Sequence, residues 1–248
     1  MNLSILPPFQ RAWLLILLAL WAAFLFGGFI FGSPRENRRM PRWTRMASSF
    51  ILMIAGWSWR LAAAGSGVEM YATLMAAGVT FGFIGDLFLA QLISRSRTKS
   101  TLGGIGAFAI GHLFYISSIL FLLDRFSLHR PVPVWRSLLL FWLAALGGWY
   151  VLAMRGQSQP SILHWAALPY ALLLAATAGL ALGASLQQPL LLPLALGAFL
   201  FLLSDMILAG AMFGDLELPL HHDIVWLAYG PGQMLILFSI GAAMQLAL

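Results

Sequence analysis

Apolar residues run along this chain in stretches of about twenty, broken by short polar intervals, and no stretch shows the alternation that marks a half-buried strand. A helix crosses a bilayer with about 20 predominantly apolar residues. On that criterion eight segments stand out, at about 12–32, 45–64, 69–93, 102–123, 134–154, 161–183, 190–212 and 224–246. The polar connections are short: Ser33 to Thr44, Ser94 to Thr101, Asp124 to Pro133, Arg155 to Pro160 and Phe213 to Asp223. Nothing is left for a separate soluble domain, and a membrane barrel would need alternating strands that are missing. The pattern predicts an all-α fold, with residues 1–248 forming one polytopic membrane domain, a helix bundle with eight transmembrane helices.

Hydrophobic residues fill 61% of the 248 positions and charged residues only 9%, which excludes an ordinary soluble protein. The net charge of +6 does not point to nucleic acid, because the basic residues fall mainly in the gaps between apolar runs. There they set topology. With eight spans both termini share one side, which carries Arg11, Arg60, Arg125, Arg130 and Arg136. The other side carries Arg35, Arg38, Arg39, Arg42, Arg45, Arg95, Arg97, Lys99 and Arg155, so the positive-inside bias assigns those loops to the cytoplasm and both termini to the outside. A bacterial inner membrane is the expected home. The first apolar run follows a lone Arg11, is longer than a signal h-region and lacks a small-x-small cleavage site, so it reads as a retained span. The chain has no cysteine, which removes disulfides, thiolate nucleophiles and cysteine metal sites from consideration.

Two aspartates interrupt runs otherwise suited to lipid: Asp86 in Phe81-Gly82-Phe83-Ile84-Gly85-Asp86-Leu87 and Asp205 in Phe201-Leu202-Leu203-Ser204-Asp205-Met206. A charged side chain at membrane depth costs roughly 2.5–3.5 kcal/mol on insertion scales, so it faces a partner, a cavity or a reaction. At ~1.5 Å of rise per residue, Asp86 lies roughly 12 Å below Ser94 and Asp205 roughly 15 Å below Asp215. His112 and Tyr115 lie three residues apart on one helix face, roughly 16 and 21 Å from Thr101, and Tyr229, with Gln233 four residues on, begins roughly 9 Å below Asp223. These depths overlap, and the economical arrangement is one polar pocket on the basic side of the membrane. Gly103, Gly104, Gly106 and Gly111 would let the fourth helix approach its neighbours closely, and Gly230-Pro231-Gly232 should bend the eighth beside Tyr229. Each group also has a structural reading: the aspartates and His112 as interhelical hydrogen bonders, Tyr229 as an interfacial aromatic like Trp43, Trp135, Trp165 and Trp226.

The two aspartate segments resemble each other. Gly78 precedes Asp86 by eight residues and Gly197 precedes Asp205 by eight, 119 residues further on. Four spans separate the two, so the halves of the chain would be parallel four-helix repeats, although chance recurrence among few residue types is the simpler reading. His221-His222-Asp223, with Asp215 and Glu217, has metal-ligand residue types but lacks zinc-helix spacing, and a solvated loop is its default. No phosphate-cradling glycine loop and no Gly-x-Ser-x-Gly elbow occurs.

An ordered set of blocks carries a family resemblance: Gly85-Asp86-Leu87-Phe88-Leu89, then Gly106-Ala107-Phe108 through Gly111-His112-Leu113-Phe114-Tyr115-Ile116, then Gly197-Ala198 through Ser204-Asp205. On these the chain resembles the YhhN-type membrane proteins, which include the lysoplasmalogenases, over about residues 70 to 245. It departs from the pattern in having Met40-Pro41 where the family often has Lys-Pro, and in the Gly230-Pro231-Gly232 sequence after Tyr229. The resemblance implies hydrolysis of the vinyl-ether bond of a lysophospholipid, releasing a fatty aldehyde and glycerophosphoethanolamine or glycerophosphocholine. No cofactor and no metal is expected. Asp86 and Asp205 would then be the acid and the anion of the reaction, the division of labour of the glycosidase carboxyls, with the choice between them open. His112 and Tyr115 would hold water or the ether oxygen. Ser204, Tyr229 and Gln233 would support the substrate, and Arg35, Arg38, Arg39 and Arg42 could attract its phosphate. A proton-coupled transporter or lipid-translocating protein would use the same aspartates, and an assembly factor would use them only for packing.

Overall fold

The computed structural model describes residues 3–34, 38–214 and 218–248. As expected from the apolar runs, the described residues form a bundle of eight long α-helices and no sheet: α1 Pro8–Ile30, α2 Arg42–Ala62, α3 Glu69–Leu89, α4 Arg97–Arg125, α5 Pro131–Trp149, α6 Ile162–Ser185, α7 Leu192–Phe213 and α8 His221–Leu246. Short 3₁₀ turns at Leu3–Ile5 and Pro189–Leu191 precede α1 and α7, and α5 runs on into a π-helical turn at Tyr150–Met154. Among the described residues seven helices are long and apolar enough to cross a membrane. The exception is α2, which carries Arg42, Arg45 and Arg60 within its 21 residues. The chain is an integral membrane protein.

Helices suit this sequence because they satisfy their own backbone donors and acceptors where water is absent. Their ends are set locally. Proline stands in the first turn of α1, α5 and α7, where its missing N–H is not needed. At the end of α3, Gln91 turns left-handed (φ 58°), and the Leu92 and Gln91 N–H groups bond back to the carbonyls of Leu87 and Phe88. Ser127 closes α4 in the same way, with Leu128 reaching Leu123. Both are Schellman caps built without glycine. The first of them stops α3 at Leu89, so Asp86 stands one turn from its helix end rather than deep within a longer span.

The helices pack as two matching sets of four. In the first half α1 lies on α2, α2 on α3 and α3 on α4; in the second α5 lies on α6, α6 on α7 and α7 on α8. The halves then join through α4 against α6 and through α8 against α2, which are equivalent pairings. Glycines mark the same point in each half. A Cβ on Gly111 of α4 would come within 3.0 Å of the Gly78 carbonyl of α3, and one on Gly232 of α8 within 2.9 Å of the Gly197 carbonyl of α7. Small residues permit such backbone approaches between membrane helices. Eight residues beyond each of these α3 and α7 glycines comes an aspartate. Both the pairing of helices and the glycine contacts therefore follow the two-repeat arrangement.

The core lies between the halves, around fully buried Trp59, Tyr71, Tyr115, Phe201, Ile236 and Leu237. The α8 helix is buried along most of its length, whereas α5 lies at the edge with Leu139, Leu140, Leu143 and Leu146 exposed. That apolar exterior is what a lipid solvent requires.

Candidate active site

One cavity of about 390 Å³ receives both aspartates. Its lining includes Asp86 from α3, Asp205 from α7, Tyr170 from α6, Tyr229 from α8 and Phe108 from α4. Arg38, Arg42, Arg45, Arg97 and His222 line the same space. Carboxyls, phenols and guanidinium groups thus share one concave site formed by six elements of both halves.

Asp86 is almost completely buried, at 4% exposure. Its Oδ2 accepts hydrogen bonds from the Ser49 hydroxyl of α2 and from the Tyr229 hydroxyl, the latter at 3.0 Å. Behind Tyr229 the network continues: Gln233 Nε2 donates to the Tyr229 oxygen at 3.1 Å, and the Tyr115 hydroxyl donates to Gln233 Oε1. Glycine makes room for this chain of contacts. A Cβ on Gly82 would lie 2.6 Å from Gln233 Nε2, and one on Gly78 would lie 2.3 Å from the Tyr115 ring. Hydrogen bonds to charged groups contribute roughly 1.5–3 kcal/mol each, so two hydroxyl donors on one oxygen offset much of the cost of a buried carboxylate.

Asp205 is half-buried and differently supported. The Tyr170 hydroxyl donates to its Oδ2, and Ser204 Oγ lies 3.3 Å from its Oδ1 while bonding more closely, at 2.7 Å, to the Phe201 carbonyl. Among the described residues the two ion pairs are Arg60 with Glu69 and His129 with Asp124, so neither aspartate is neutralised by a cation there. Tyr170 follows Pro169, and Tyr229 stands two residues before Pro231, both prolines lying inside their helices. Proline removes a hydrogen bond from the ladder and loosens the local geometry beside each tyrosine.

His112 and Tyr115, expected beside the aspartates, do not line the cavity. His112 lies one turn beyond Phe108 on α4, with its ring 4.7 Å from that of Phe201 and its Nδ1 2.9 Å from Thr177 Oγ1. Its Nε2 is buried without a hydrogen-bond partner among the described residues. Tyr115 reaches Asp86 only through Gln233 and Tyr229. Ser204 is fully buried and Gln233 nearly so, and neither contributes to the lining. Depth arithmetic found the right level but not the azimuth of these helices. Ser49 and Tyr170 were missed, although a serine pair inside α2 and a lone tyrosine after a helix proline are signals of the same kind as Tyr229.

The basic residues also sort differently from expectation. Arg38 and Arg42 line the cavity, joined by Arg45 and Arg97. Arg39 turns away, bonding to the carbonyls of Gly32 and Ile30 over the Phe29 ring, and Arg35 lies outside the described residues. Arg45 stands 5.5 Å over the Trp226 ring, and none of the four cavity arginines is ion-paired with a described residue. The cluster around His221-His222-Asp223 has a mechanical explanation. Asp223 is buried, and its carboxylate accepts the backbone N–H groups of Arg39 and Met40, fastening the segment that carries Arg38 to the start of α8. Asp215 and Glu217 lie outside the described residues. Among the described residues no three His, Asp or Glu side chains converge as a metal site would require.

A model of the YhhN family matches residues 40–240. The chain belongs to the YhhN family. No curated protein and no solved structure matches it. All the cavity-lining residues of this YhhN chain except Arg38 fall inside the matched region, so the site is a feature of the family portion of the molecule.

Proposed function

We propose that this YhhN protein hydrolyses the vinyl-ether bond of single-chain ether phospholipids, releasing a fatty aldehyde and a glycerophospho-base. The observation that carries the reading is one cavity with two carboxyls inside and four arginines on its walls, none of them ion-paired with a described residue. Arginine recognises phosphate through its planar fork of donors, so the arginines suit the head group while the carboxyls meet the ether. Family membership agrees with a hydrolase but does not specify the bond.

The chemistry needs an acid, an anion and water. In the proposed sequence Asp205 carries the proton, because beside the Tyr170 phenol its other donor, the Ser204 hydroxyl at 3.3 Å, bonds more closely to the Phe201 carbonyl, and Asp86 is the anion, because two hydroxyls donate to one of its oxygens. Asp205 gives its proton to the β-carbon of the enol ether, and the ether oxygen supplies electrons to form an oxocarbenium ion. Water adds to the adjacent carbon and loses a proton to Asp86. In the collapse of the hemiacetal, Asp86 returns that proton to the departing glycerol oxygen while the hemiacetal hydroxyl proton passes to Asp205. Both carboxyls end as they began. Ser49, Tyr170, Tyr229, Gln233 and Tyr115 orient the pair, and His112 supports the wall through Thr177 and Phe201.

The test is aldehyde release by the purified protein in detergent from a vinyl-ether lysophospholipid, set against its ester and alkyl-ether counterparts. Cleavage of the vinyl ether alone is expected. A transporter would show no turnover without a closed membrane, and cleavage of the ester would replace this chemistry with acyl hydrolysis.

A further inference from the structure

A second, smaller cavity of about 70 Å³ lies between α5, α6 and α7. Its walls are made by small apolar side chains, among them Ala145, Gly148, Ala167 and Ala171, and by Trp149. Two residues, Asp205 and Ala209, line both this slot and the arginine-lined cavity. The slot is polar only where Asp205 meets it. Its outer rim includes Ala144 and Met206, which are exposed on the apolar edge of the bundle. Alongside it α5 winds into a π-helical turn, with Arg155 N–H bonded to the carbonyl of Tyr150 five residues back at 2.8 Å, and Leu152 and Ala153 of that turn face the slot. Such turns recur at functional sites.

We infer that this slot holds the first part of the aliphatic chain of a single-chain ether lipid, with Asp205 at the junction between chain and head group. The inference rests on the proposed function and adds the chain subsite and its entrance. Three features fix the occupant. The slot is apolar and narrow, it opens onto the exposed side of α5 and α7, and it ends on a carboxyl shared with the basic cavity. An amphiphile with a phosphate among the arginines would place its chain in the slot and the bond between them beside Asp205. In a vinyl ether the carbon to be protonated is the one attached to the chain, which is the side of Asp205 that the slot serves. A cavity of about 150 Å³ takes one benzene ring, so this smaller one takes only the first carbons, and the remainder of the chain leaves past Ala144 and Met206.

Gly148 lines the slot close to Met206. A Cβ there would lie 3.7 Å from Met206 Cε, an ordinary contact, so Gly148→Ala fits the fold while Gly148→Leu fills the slot. Single methylenes in an apolar pocket change specificity tenfold or more. For the hydrolysis, Gly148→Leu is expected to lower the preference for long-chain over two-carbon vinyl-ether substrates at least tenfold, chiefly through KM, with Gly148→Ala moving the same way by less.

The decisive probe does not depend on turnover: an alkyl-ether lysophospholipid carrying a photoactivatable diazirine on a carbon close to the head group. Cross-linking to wild-type protein should fall within 144–153 of α5 and its π-helical turn, 167–174 of α6 and 202–209 of α7, and Gly148→Leu should remove it. Label confined to α1, α2 or other exterior faces, or undiminished by Gly148→Leu, overturns the chain site. If the slot is labelled but no vinyl ether is cleaved, the hydrolase reading fails and the lipid site stands.

Discussion

The Asp86 half and the Asp205 half of the molecule share a packing plan and diverge in what they bring to the cavity. In each, a glycine eight residues before the aspartate meets a glycine of the next helix, and the preceding helix supplies a hydroxyl to the carboxyl: Ser49 of α2 to Asp86, Tyr170 of α6 to Asp205. The following helix breaks the match. In the second half α8 gives Tyr229 to Asp86 at 3.0 Å, while its counterpart α4 offers the hydrocarbon ring of Phe108 beside Tyr170, at 6.4 Å between centroids. Charge is unequal as well, since Arg38, Arg42, Arg45 and Arg97 all belong to the first half, and the apolar slot belongs entirely to the second. A packing plan common to both halves thus carries unlike side chains, giving two carboxyls at matching positions but in different surroundings.

That difference is broken most directly at the carboxyls. Asp205→Asn removes the proton donor and is expected to lower kcat for vinyl-ether hydrolysis by about 10³–10⁴-fold, near the top of the range for general acids. Asp86→Asn keeps the hydrogen-bonded shape but loses the anion, and about 10²–10³-fold is expected, as for loss of one electrostatic stabiliser. Rates measured with thermal unfolding in the same detergent separate chemistry from folding. If the order of the two losses is reversed, the assignment of acid and anion reverses with it; if either variant keeps full activity, that aspartate is not part of the reaction.

The supporting tyrosines sharpen the comparison at smaller scale. Tyr170→Phe leaves Asp205 with only the longer Ser204 contact, whose hydroxyl bonds more closely to the Phe201 carbonyl, whereas Tyr229→Phe leaves Asp86 with Ser49. Asp205 becomes a carboxylate as it gives up its proton, and a hydrogen bond to a charged group contributes roughly 1.5–3 kcal/mol, so Tyr170→Phe should lower kcat by about tenfold or more, and Tyr229→Phe should cost less. The remaining donor on Asp86 is the reason. Equal losses would mean that the Ser49 bond does not substitute for the phenol, and a Ser49→Ala, Tyr229→Phe double variant would then be no worse than Tyr229→Phe alone.

The unequal legibility of the two halves has the same physical origin. Runs of apolar residues specify helices in lipid almost unaided, because the backbone has no alternative partner, and so the eight-helix fold was readable from hydropathy. The glycine spacing was readable too, but its meaning needed the carbonyl contacts between Gly78 and Gly111 and between Gly197 and Gly232. Rise per residue gave depth and brought Asp86, Asp205 and Tyr229 to one level. It could not say that His112 faces Phe201 and Thr177, or that Tyr170 faces Asp205, because helix rotation is set by packing between chain segments far apart in sequence. Arg39 illustrates the same limit: four neighbouring arginines look alike in a loop until backbone contacts turn one of them away.

The smallest effect expected is at Asp223, which lies outside the reaction and acts on the basic half through another segment. Its carboxylate accepts two backbone N–H groups, from Arg39 and Met40, and so fixes where Arg38 and Arg42 stand. Asp223→Asn retains size but offers a weaker acceptor to two donors. Asn keeps one carbonyl oxygen, so only one of the two bonds has a good acceptor, and the segment should gain freedom without the helices separating. The expected result is a several-fold rise in KM for a lysophospholipid with kcat nearly constant, the pattern of lost ground-state binding. The rise should shrink for an alkenylglycerol that lacks the phosphate, because the arginines then have nothing to hold. A fall in kcat of the same size on both substrates would instead mean that the segment supports the carboxyls themselves, and the division into a charged half and an apolar half would have to be redrawn.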